Sequence, residues 1–91
     1  MAEKFNDVWD ALLDDPAERE VCKIKSSLMA AIALHIKERG LTQKEAADIM
    51  GVTQPRVSNV VRAKGDKFTI DMLIDMLARL GLHVEVILKA A

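Results

Sequence analysis

Residues 43–62 read QKEAADIMGVTQPRVSNVVR. The stretch divides into two short helices about a tight corner. Thr42 is placed to cap the first, and Glu45 three residues on completes a capping box, in which each residue's side chain accepts from the other's backbone N–H. Ala46, Ala47, Ile49 and Met50 give this helix an apolar face. Gly51 follows at the left-handed position that stops a helix, where a Cβ would be strained. Val52 lies in the corner, and Thr53 caps the second helix. Pro55 falls in the first turn, where a missing N–H costs little. Val57, Val60 and Val61 recur at helical spacing and are expected to face inward.

Two helices joined through about three residues that include glycine make a helix-turn-helix unit. The positions are demanding: a small residue where the helices meet (Ala47), a residue tolerant of positive φ at the corner (Gly51), and buried aliphatics beyond it (Val52, Val57, Val60). On these residues the stretch resembles the lambda-repressor-like, or XRE, family of DNA-binding domains. A plain helical hairpin in an all-α core is the competing reading. It would not need Thr, Gln, Pro, Arg, Ser and Asn at the exposed places.

The second helix is then the recognition helix. At about 100° per residue, Pro55, Ser58, Asn59 and Arg62 point away from the valines, with Arg56 on the flank and Gln54 at the N-terminal tip. The N-terminal part of such a helix reaches base edges in the major groove. Gln and Asn pair bidentately with adenine, Arg with guanine, and Ser with either. Gln54, Arg56, Ser58 and Asn59 are therefore the candidates for base contacts. Gln43, Lys44, Thr53, Arg62, Lys64 and Lys67 are the candidates for phosphate contacts, with the N-terminal N–H groups of the first helix adding a further anion site. A solvated helix surface is the alternative for each, and it weighs most for Lys44 and Lys67.

Charge is distributed to match. The 91 residues carry a net charge of −1, which taken alone argues against nucleic acid. Residues 1–20 hold seven acids and two bases, residues 21–67 nine bases and four acids, and residues 68–91 two bases and three acids. The helix-turn-helix thus lies in a segment of net +5, and the acid is displaced to the start. Local charge governs phosphate contact, because screening acts over about 10 Å.

A chain of this length makes one small domain. Its abundance of Ala, Leu, Met and Ile beside charged residues, with 3% aromatics, favours helices. The single Cys22 excludes an internal disulfide and fits a reducing, cytoplasmic setting. No secretory signal is expected, and the longest apolar run, Leu28 to Leu34, is too short to span a membrane. No Ser/His/Asp set, Cys/His pair, phosphate-cradling glycine loop or metal-ligand spacing is present, so neither an enzyme nor a cofactor or metal site is expected.

Residues 1–15 form an acidic arm or short helix bearing Val8, Trp9, Leu12 and Leu13. It either folds back on the domain or docks a partner. Residues 16–91 form the domain. Asp15 caps and Pro16 opens the longest helix, which Gly40 ends. Val21, Ile24, Leu28, Ala31, Ile32 and His35 mark its inward stripe. Gly65 is expected to end the recognition helix. Thr69 caps a last helix with Ile70, Leu73, Met76, Leu77 and Leu80 on the buried face, and Gly81 ends it. Leu82, Val84, Val86 and Leu88 then alternate with His83, Glu85 and Ile87, which is a strand pattern. The expected architecture is mainly α: a lambda-repressor-like bundle of about five helices with one C-terminal β-strand. A lone strand needs a neighbour, and the simplest is the same strand of a second copy. The result is a homodimer, which would place two recognition helices on an inverted-repeat operator in double-stranded DNA.

From about Phe5 to Leu88 the chain also resembles a narrower group of short bacterial XRE proteins, on its acidic start Asp7-Val8-Trp9-Asp10-Ala11-Leu12, on Leu41-Thr42-Gln43, on Thr53-Gln54-Pro55-Arg56-Val57-Ser58, and on Leu80-Gly81-Leu82-His83-Val84. These are similar to HigA-type antitoxins, often encoded beside a RelE-like or HigB-like toxin. The resemblance implies a repressor of its own operon that also neutralises a small toxin. The alternative function is a protein-interaction module on the same scaffold, without specific DNA recognition.

Overall fold

The computed structural model describes residues 15–90. Four α-helices occupy them: α1 (Pro16–Glu38), α2 (Gln43–Met50), α3 (Gln54–Val61) and α4 (Ile70–Arg79), with a short 3-10 turn at Gly65–Lys67 between α3 and α4. The long α1 packs against α4, against α3 and against the 3-10 turn, while α2 contacts α3 and α4.

Every helix begins on a side-chain cap. The Asp15 carboxylate accepts from the Ala17 N–H at 3.0 Å, and Pro16 opens α1. Thr42 and Glu45 form both bonds of the capping box, at 3.0 and 2.8 Å. The Thr53 hydroxyl accepts from Arg56 N–H and that of Thr69 from Met72 N–H, each at 3.3 Å. Such caps satisfy N–H groups that have no intrahelical partner. At α4 the Thr69 hydroxyl, with backbone N–H groups of the first turn, also holds the Asp71 carboxyl below its ordinary pKa.

Every helix also ends in one way. An N–H beyond the end reaches back five positions and closes a six-residue loop: Leu41 to the Ile36 carbonyl, Val52 to Ala47, Lys64 to Asn59, and Leu82 to Leu77, all at 2.9–3.0 Å. This bond requires a left-handed residue just before the donor. Gly40, Gly51 and Gly81 supply it for α1, α2 and α4. For α3 it is Ala63, at φ 59. Helix α3 therefore stops earlier than the glycine at position 65 suggests. The hydrogen-bonded loop closes over Ala63, and Gly65 falls in the 3-10 turn. An L-residue in this conformation costs about 1–2 kcal/mol, partly offset by the smaller unfolded-state entropy of alanine. Ala63→Gly is expected to stabilise the protein by about 0.5–1 kcal/mol, raising the melting temperature by roughly 2–8 °C. An unchanged or lower melting temperature would mean that the turn stores no strain.

The core is entirely apolar. Met29, Ile32 and Ile36 come from α1, Ala46, Ala47 and Met50 from α2, Val57 and Val60 from α3, and Leu73, Met76, Leu77 and Leu80 from α4 and its end, with Phe68 in the preceding loop. The α1 stripe expected from sequence is displaced. Val21 and Ile24 are exposed and Leu28, Ala31 and His35 are half-buried, whereas Met29 and Ile36 are buried. This helix is apolar over a wide arc, so periodicity alone admits two adjacent stripes, and packing against α3 and α4 selects the second. Val61 is likewise 43% exposed, unlike Val57 and Val60. Arg39 Nη1 donates to the Leu80 carbonyl at 3.4 Å and ties the end of α1 to the end of α4.

One further expectation lies outside the described residues and one is corrected. The described residues hold four α-helices; the short N-terminal helix proposed around Val8 and Trp9 lies outside them. Residues 82–90 form no strand. Leu82 and Val84 are half-buried and pack on the core, but Val86, Ile87 and Leu88 are 77%, 77% and 89% exposed. The alternation thus holds through Val84 and then fails. A strand is defined by pairing with a neighbour's backbone, and among the described residues the tail pairs with none.

Candidate nucleic-acid interface

The corner between α2 and α3 fixes the candidate surface. Gly51 at φ 68 reverses the chain, Val52 N–H bonds back to Ala47, and Thr53 starts α3 two residues later. Ala46 and Ala47 are buried, which lets the two helices approach closely. Val57 and Val60 are almost completely buried and lock the rotation of α3 about its axis. What remains outward is the polar face of α3.

Of the candidate base-contact residues, Gln54 is exposed at the first position of α3, and Arg56, Ser58 and Asn59 are half-buried on its flanks. Thr53, Pro55, Arg56, Asn59, Lys67 and Phe68 line one shallow concavity of about 240 Å³. Thr53 and Lys67, read from sequence as phosphate contacts, therefore share a surface with two of the base-contact candidates. The Thr53 hydroxyl already accepts from the Arg56 N–H, and its own proton remains available to donate. Arg62 and Lys64, at the other end of α3, are exposed.

Gln43 and Lys44 are exposed at the start of α2. Lys44 pairs with Asp48 one turn on, at 3.9 Å, with both side chains about three-quarters exposed. A pair so open to solvent is weak and can be exchanged for a phosphate contact. Neither residue lines the concavity beside α3.

Sequence reading missed Phe68 here. Phe68 is buried, and the Arg56 guanidinium carbon lies over its ring, 5.8 Å from the centroid. No local spacing signals this contact, because it joins the first turn of α3 to the loop after the 3-10 turn.

Among the described residues, no group of three or more His, Cys, Asp and Glu is placed to hold a metal ion, and no helix is long and apolar enough to cross a membrane. Every described buried side-chain nitrogen or oxygen has a hydrogen-bond partner.

Comparison with known proteins agrees with this geometry. Residues 11–89 match a family model described as a helix-turn-helix domain. A solved structure described as a candidate XRE family transcriptional regulator superposes with a TM-score of 0.74 at 28% identity, over 81% of this chain and 83% of that one. No curated protein matches. The match runs through all four helices and the tail that follows them, well beyond the corner at Gly51, and on that extent the chain belongs to the helix-turn-helix domain family.

Proposed function

We propose that this protein is a sequence-specific DNA-binding transcriptional regulator that binds an inverted-repeat operator as a homodimer and represses its own operon. The observation that carries the reading is α3 itself. Val57 and Val60 fix it in the core, while Gln54 is exposed at its tip and Arg56, Ser58 and Asn59 lie half-buried on its flanks, within the basic segment. Gln54, Arg56, Ser58 and Asn59 contact base edges, and Gln43, Lys44, Thr53, Arg62, Lys64 and Lys67 contact phosphates. The likeness to a candidate XRE family regulator supports the same reading.

The role distinguishes two kinds of residue. Gln54→Ala and Arg56→Ala should each cost about 1–3 kcal/mol at one base position and relax preference there. Arg62→Ala should weaken binding alike on all sequences and reduce the salt slope by about one unit. Equal losses on the selected duplex and on random duplex for all three variants would remove the assignment. The direct test is binding to the DNA upstream of the protein's own gene, titrated over a range of salt.

The homodimer is assigned to the exposed apolar tail. Val86 and Ile87, both exposed, line one groove with Ile24, Leu28 and Ile74, and Leu88 follows them, also exposed. Burying such a patch against its own copy is the economical way to remove it from water. The finer assignment, an antitoxin of HigA type with a RelE-like or HigB-like partner, rests on overall sequence likeness and on the net −5 of residues 1–20, a charge suited to a small basic toxin. Repeating the operator titration with the product of the neighbouring gene tests it. A neighbour that neither binds the protein nor alters the titration removes the antitoxin role and leaves the regulator.

A further inference from the structure

We infer that Phe68 is a positioning residue for base recognition: it holds the Arg56 side chain in place before DNA arrives. The inference rests on the reading of Arg56 as a base contact and adds to it the residue through which that contact becomes selective.

Three observations converge. Phe68 is 3% exposed and belongs to the apolar core, so its ring is fixed by the fold. The Arg56 guanidinium carbon lies over that ring at 5.8 Å from the centroid, within the roughly 6 Å reach of a cation–π contact. No hydrogen bond or ion pair engages the Arg56 guanidinium among the described residues, so its N–H groups are unspent. The anchoring contact is made with the face of the ring. It leaves the donors of the guanidinium fork free to point at a ligand.

The physical consequence concerns selectivity more than affinity. A guanidinium reads guanine through two N–H bonds in one plane. A freely rotating arginine can reach a neighbouring phosphate or a wrong base almost as well, and it loses considerable rotamer freedom on docking. Contact with a fixed ring removes part of that freedom in advance and disfavours the alternative poses. Asn59 and Lys67 line the same concavity, so the held guanidinium shares it with an amide able to read a base and an ammonium able to meet a phosphate.

The test uses the full chain and a duplex selected by the wild-type protein from a randomised library. Binding is measured on that duplex, on its single-base variants and on random duplex, for wild type, Arg56→Ala, Phe68→Leu and the double variant. Phe68→Leu keeps an apolar side chain in the core and removes the π face. It should lower discrimination about threefold to tenfold at the same base position as Arg56→Ala, and leave random-duplex affinity and the salt slope unchanged. The double variant should discriminate no worse than Arg56→Ala alone. Full discrimination in Phe68→Leu, beside a loss in Arg56→Ala, would overturn the positioning role and leave the base contact standing. Unaltered discrimination in Arg56→Ala would overturn both. Should Phe68→Leu fail to fold, the Arg56 side-chain protons of the wild-type protein give the answer by NMR. Ring-current shifts and a restricted Nε in the free protein support the contact, and random-coil shifts with a mobile Nε overturn it.

Discussion

Replacing Ile32 by alanine is expected to cost about 2–5 kcal/mol of stability, enough to unfold much of the protein at ambient temperature. Ile32 is 0% exposed and lies in the middle of α1, the helix against which both α3 and α4 pack. Deleting its outer carbons opens a cavity between three helices, each held in place by the others. The loss includes the transfer energy of the missing groups and the contacts that their neighbours forfeit. A domain this small has little stability in reserve. Leu34, two residues on, is the control. It is 55% exposed, and Leu34→Ala should change stability by about 0.5 kcal/mol or less. Chemical denaturation of the two variants checks the pair. Equal losses would mean that α1 does not present the face described.

The second large effect is on DNA affinity. A chain ending at Glu85 is expected to fold, because Leu82 and Val84, the tail residues packed on the core, are retained. It should nevertheless be monomeric, and its operator affinity should fall by about 10²–10⁴-fold. In a dimer the second recognition helix binds at high effective concentration once the first has docked. Two copies related by a two-fold axis can address half-sites about 34 Å apart only while they are joined. Sedimentation equilibrium reads the assembly, and titration of full and half operators reads the affinity. A shortened protein that stays dimeric, with undiminished affinity, would show that the dimer lies elsewhere. A change confined to the full operator is the pattern expected if the tail joins the copies.

Local signals in the sequence were reliable where the physics is local. Thr42 with Glu45, Thr53, Thr69, Gly40, Gly51 and Gly81 all stand at helix ends for the reasons their side chains suggest. The reading failed where the outcome depends on distant residues. Ala63 takes the left-handed position although Gly65 is the better residue for it, because burial of Val57 and Val60 sets where α3 must stop. Met29 and Ile36 displace Val21 and Ile24 from the core because α3 and α4 meet α1 on that side. The tail alternates like a strand, but alternation expresses an ability to pair, and pairing needs a second backbone. At the candidate site the polar side of α3 was legible from spacing, as was its helix-turn-helix setting. The contact of Arg56 with Phe68 was not, because the core decides which aromatic ring lies beneath which cation.

The matched beginnings and endings of the helices also bear on how fast the protein folds. Each helix carries its start within three residues of its cap and its stop within a single six-residue loop, so the punctuation needs no help from the rest of the chain. Segments that can hold their own limits leave a search made mostly of docking. Helical domains rich in short-range contacts cross their barrier in roughly microseconds to milliseconds. The entropically demanding step is then closure of α4 onto α1 across the whole intervening helix-turn-helix, since that is where loop entropy is spent. Substitutions at the α1–α4 contact should slow folding more than equally destabilising ones at the α2–α3 corner, which a chevron series on the two groups would separate.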